Sequence, residues 1–103
     1  MGIAAQNLKN ALQLAEQGQY PEALEAFRKL HDDAQNTTPG YQVLRRGYAL
    51  TCWAYFGRRQ FPPALAALED LLQKKRQLQA AGDTRPELRD DIAAIERSLA
   101  ETA

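Results

Sequence analysis

Tyr20-Pro-Glu-Ala-Leu-Glu-Ala-Phe27 returns as Phe61-Pro-Pro-Ala-Leu-Ala-Ala-Leu68, 41 residues further on. Each copy places an aromatic, then proline, then alanine at a point where apolar periodicity stops and starts again. Proline has no N–H to lose in a first helical turn, and alanine lets two backbones approach closely. Each copy therefore marks the bend of a helical hairpin. An internal period of this kind signals stacked units, because one hairpin cannot bury its own apolar face without a neighbour.

The punctuation at Gly18, Thr37-Thr38-Pro39-Gly40, Pro62-Pro63 and Gly82-Asp83 divides the chain into five helix-length segments. The first, Ile3 to Gln17, has Ala4, Leu8, Ala11, Leu12 and Ala15 on one face, and Gly18 supplies a left-handed closing residue. The second starts at Pro21, turns Ala23, Leu24, Phe27, Leu30 and Ala34 inward, and frays into Asn36-Thr37-Thr38. The third, Gly40 to Arg59, is apolar around its whole circumference and belongs in the middle.

The fourth starts at Pro62-Pro63 and faces inward with Ala64, Leu65, Leu68, Leu71 and Leu72. The same face then reads Lys75 and Gln79, so its last turns project beyond the packed body. The fifth, Pro86 to Glu101, has Asp83 or Thr84 as cap and one stripe, Leu88, Ile92, Ile95 and Leu99, backed by charge. These elements make an all-α single domain: a hairpin over 3–35, a hairpin over 40–80 and a capping helix over 85–101. A generic five-helix bundle is the alternative arrangement.

Other features bound the function. The chain has 103 residues, and its thirteen basic and thirteen acidic side chains cancel, so no global field draws it to nucleic acid or an anionic membrane. The single cysteine, Cys52, excludes an internal disulfide and fits a reducing compartment. With no apolar run approaching a membrane span and no signal-peptide core at MGIAAQNLKN, the expectation is a soluble, cytoplasmic protein.

Catalysis finds little support. His31 is the only histidine and reads as an imidazolium compensating a helix end; Cys52 reads as a buried, inert thiol. Neighbouring carboxylates at Asp32-Asp33 and Asp90-Asp91 diverge by about 100° on a helix, cannot form a facing dyad, and are expected to be solvated. Phosphate-loop, dinucleotide and metal-ligand patterns are missing, so neither enzyme activity nor a cofactor is expected. Arg45-Arg46, Arg58-Arg59 and Lys74-Lys75-Arg76 read as surface and helix-dipole residues, with a single-stranded RNA surface as the minor reading.

The residues that frame the bends resemble tetratricopeptide repeats. The first hairpin supplies Ala11, Leu14, Gly18, Tyr20, Ala23 and Phe27, and the second Tyr48, Cys52, Tyr55, Phe61, Ala64 and Leu68. Arg59 stands where that family has glycine, Gly57 comes two residues early, and the spacing of 41 exceeds the family's period of about 34.

The resemblance implies a non-catalytic module that binds another protein or peptide, as adaptor, chaperone or inhibitor, or that self-associates into a homo-oligomer. The family lines its concave face with the first helix of each hairpin. Carried over, this places Ala5, Leu8 and Leu12 beside Arg46, Ala49, Trp53 and Phe56 as the partner-binding residues. The competing arrangement puts Trp53 and Phe56 in the core, with the last helix filling the groove.

Overall fold

The structure, a computed structural model, describes residues 3–33 and 39–103, with side chains from Gln6 onward. Ala4, Ala5, Ala34 and the fraying expected at Asn36-Thr37-Thr38 lie outside what is described. The described residues form an all-α fold of six helices: α1 (Ile3–Glu16), α2 (Tyr20–Asp32), α3 (Tyr41–Arg46), α4 (Tyr48–Arg59), α5 (Pro62–Ala80) and α6 (Pro86–Thr102). None of them is long and apolar enough to cross a membrane.

Short bends fold α1 onto α2 and α4 onto α5. At the first, Gly18 takes a φ of 76°, and the Gly18 and Gln19 amides donate to the Ala15 and Leu14 carbonyls at 3.1 and 2.9 Å. That is a closed C-terminal turn of the kind expected there. The alanines of both motif copies, Ala23 and Ala64, are fully buried.

The two bends also meet each other. The Tyr20 and Phe61 rings lie 5.6 Å apart, and Phe56 packs on both at 5.7 and 5.9 Å. Phe27 joins the cluster through Phe56 and stacks in turn on Trp53. Edge-to-face and offset contacts of this kind favour a fixed arrangement beyond simple area burial. The repeated aromatic thus closes its own bend and also seals one hairpin against the next.

The expected third helix is broken. Gly47 leaves helical geometry at φ −110°, ψ −104°, and its amide donates to Leu44 at 3.3 Å instead of continuing the four-residue ladder. Glycine inside a helix costs about 1 kcal/mol relative to alanine, so the helix is weakest there. The break re-aims the residues before it: α3 buries Tyr41 and Arg45, whereas α4 buries Ala49, Leu50, Trp53, Ala54, Phe56 and Gly57.

At Gly57 the α4 backbone runs against α5. A Cβ there would lie 2.4 Å from the Leu65 amide nitrogen. Nearby, the Trp53 indole donates to the Ala64 carbonyl at 2.8 Å, fixing the same contact. Leu88, Ile92 and Ile95 of α6 are buried against this hairpin and Leu99 is partly so. Beyond Leu72, only Lys75 of α5 is even partly covered, and its last turns project as expected. The cap expected at Asp83 or Thr84 is replaced: Arg85 occupies the N-cap position without a side-chain cap, and Asp83 instead accepts from Arg85.

Candidate functional site

Of the seven residues expected to line a binding groove, Ala5 lies outside the described side chains, and the structure separates the other six. Leu8, Ala49, Trp53 and Phe56 are core residues, each no more than 5% exposed. Because the helix breaks between Arg46 and Ala49, positions 46, 49, 53 and 56 do not form one continuous exposed stripe. Arg46 turns away to Asp91, its Nε donating to the carboxylate at 2.8 Å. Among the described residues of α1 expected there, Leu12 alone keeps a partly open face. The arrangement with Trp53 and Phe56 in the core is the one the chain adopts.

An open trough nonetheless runs between α1 and α4, its α4 lining shifted by about one residue from the positions Ala49, Trp53 and Phe56 that the resemblance implied. It is about 410 Å³, with Leu12 and Glu16 on the α1 side and Tyr48, Cys52, Tyr55 and Arg59 on the α4 side. The α4 residues recur at intervals of three to four and so share one helical face. Tyr48 is 61% exposed and Tyr55 37%. The Arg59 guanidinium lies 4.3 Å from the Tyr55 ring centre, a cation–π contact that steadies both side chains at one end.

Cys52 is half-buried between them. Burial pushes its thiol pKa up, against the hydrogen bond with Tyr48, so it stays protonated at neutral pH. The trough is therefore an apolar and aromatic surface without an activated nucleophile.

A second centre was not foreseen. Asp91, expected in water, is buried and accepts from both Nη atoms of Arg45 at 2.7 and 2.8 Å. Arg46 and Lys75 reach the same carboxylate at 2.8 and 3.3 Å. Burial alone would raise the Asp91 pKa, but the Arg45 and Arg46 hydrogen bonds and the nearby charges hold it well below the usual carboxylate range. Arg45, expected at the surface, is only 1% exposed, and its Nε donates to the His31 carbonyl at the end of α2.

His31 also departs from expectation. It is buried, and neither ring nitrogen has a hydrogen-bond partner among the described residues. Burial, with the charges of Arg45 and Lys75, pushes its pKa down to about 3. It is a neutral imidazole edge-on to Trp53, not a dipole-compensating cation.

The other basic residues of the clusters singled out in the sequence also contact groups of the chain. Arg58 donates to Thr102 and to the Leu99 carbonyl near the end of α6, Lys74 pairs with Asp70, and Arg76 with Glu96. Compared with known protein families, curated proteins and solved structures, the chain matches none of them.

Proposed function

We propose that this chain is a non-catalytic protein-binding module that grips a segment of another polypeptide in the trough between α1 and α4. The observation that carries this reading is the exposure of Tyr48 and Tyr55 on one face of a helix whose opposite face supplies Trp53 and Ala54 to the core. Tyrosines of this kind give large, rigid contact area at low entropic cost and are enriched where proteins meet. The resemblance to tetratricopeptide repeats supports the same location, since α1 and α4 are the first helices of their hairpins.

Arg59 at one end of the trough and Glu16 across it offer charges of both signs to orient the bound segment. Site-directed photo-crosslinking tests this reading. A photoreactive residue at Tyr48 or Tyr55 should capture another protein in the native host, whereas one at exposed Arg97 should not. Crosslinks confined to a second copy of the chain would assign the trough to self-association. Crosslinking at Arg97 but at neither tyrosine would remove the trough from consideration.

A further inference from the structure

We propose that the pocket enclosed by the end of α2, α3, α5 and the start of α6 binds a phosphate-type oxyanion. The pocket is about 480 Å³, and His31, Arg45, Lys75, Arg85, Leu88 and Asp91 contribute to its wall. It is distinct from the α1–α4 trough and shares no residue with it.

The charge balance around the buried Asp91 is the main argument. Arg45 and Lys75 line the pocket, Arg46 lies outside its lining, and all three contact Asp91. Three positive charges against one negative leave an excess of two. Arg45 is fully desolvated, and the Lys75 and Arg46 side chains are only 17% and 24% exposed. Excess charge removed from water is costly, and a dianion would balance it.

Donors remain unused. Lys75 makes one 3.3 Å contact with Asp91, although an ammonium carries three N–H groups. His31 lines the pocket with neither nitrogen partnered among the described residues, and a neutral imidazole retains one N–H. The start of α6, a helix of 17 residues without a side-chain cap, borders the pocket through Arg85, Glu87 and Leu88 and adds its positive dipole end.

Two carboxylates, Asp32 and Glu87, also line the pocket, and Arg85 is paired with Asp83. Asp32 and Glu87 are exposed, so solvent and salt screen them, whereas the inner cations are screened less. A compact tetrahedral anion that reaches the inner wall fits this distribution better than a planar carboxylate on a long chain.

The test uses the intact chain, titrated with inorganic phosphate against sodium chloride at matched ionic strength. Phosphate should raise the melting temperature saturably and shift the His31 ring nitrogen resonances. Lys75→Gln should weaken the phosphate affinity at least tenfold, while its melting temperature without phosphate stays the same or rises. His31→Asn gives a second variant and should lose several-fold in affinity. A parallel titration with O-phosphoserine separates sources: tighter binding than phosphate assigns a phosphorylated side chain, and weaker binding assigns the free ion. A thermal shift no larger than that of chloride, or one that Lys75→Gln leaves unchanged, would overturn the proposal.

Discussion

Arg45 and Asp91, 46 residues apart in sequence, meet as a two-pronged ion pair in which each guanidinium Nη atom donates to a different carboxylate oxygen. Through it α6 is fastened to α3, and through the Arg45 Nε to the end of α2. A buried pair of this kind contributes little over an apolar substitute, but removing one partner strands the other. Here the stranded charges would be those of Arg45, Arg46 and Lys75. Asp91→Ala should therefore lose ~3–5 kcal/mol of unfolding free energy in a urea titration. A loss below ~1 kcal/mol would show that the cluster is open to water.

Stability should depend on pH through His31. Its pKa lies at about 3 in the folded chain against 6.5 for the free side chain. The unfolded chain thus binds more protons between these values. Stability is fully present above pH 6.5 and falls as pH drops towards 3, by up to ~1.4 kcal/mol per pH unit. Asp91, depressed when folded, adds its own loss only below its ordinary value of 3.8. His31→Gln should flatten the slope between pH 6.5 and 5, as measured by chemical denaturation. An unchanged slope would mean that the imidazole reaches solvent.

Gly57 makes a prediction opposite in sign to the usual rule. Replacing glycine by alanine inside a helix normally stabilises by up to ~1 kcal/mol. At Gly57 the new methyl would meet the Leu65 backbone, and backbone cannot swing aside as a side chain does. Gly57→Ala should instead cost ~1–3 kcal/mol. Thermal melts showing a stabilised variant would contradict the packing of α4 on α5.

Trp53 is the only tryptophan and is 2% exposed, with its indole N–H bonded to the Ala64 carbonyl. Its emission should be blue-shifted and resistant to iodide quenching in the free chain. Red-shifted, readily quenched emission would restore it to an open groove.

The hairpins could be read from sequence because their signals are local: Gly18, Pro21, Pro62 and the paired motif specify bends whatever else the chain does. The inward faces of α2, α5 and α6 followed from spacing alone, since each has one greasy side. For α4 the same reasoning failed, because a helix apolar all round has no period to say which aromatics face out. Tyr48 and Tyr55 were visible as aromatics seven residues apart, yet only packing against α1, α2, α5 and α6 separates them from Trp53 and Phe56. The Asp91 cluster was harder still. An acid on a helix surface and a buried ion look alike until the cations from α3 and α5 arrive. Gly57 was legible only as a displaced turn glycine, whereas its place is a close approach between backbones.

The most direct measurement of the central proposal is the affinity of a partner captured at the trough for the chain carrying Tyr48→Ala and Tyr55→Ala together. Tyr48 is 61% exposed and Tyr55 37%, so the variant should remain folded, at a cost of no more than ~2 kcal/mol. If the trough is the binding surface, losing two aromatic contacts should weaken the complex by ~2 kcal/mol or more, at least tenfold in Kd. A double variant that folds normally and binds with unchanged affinity would contradict the account.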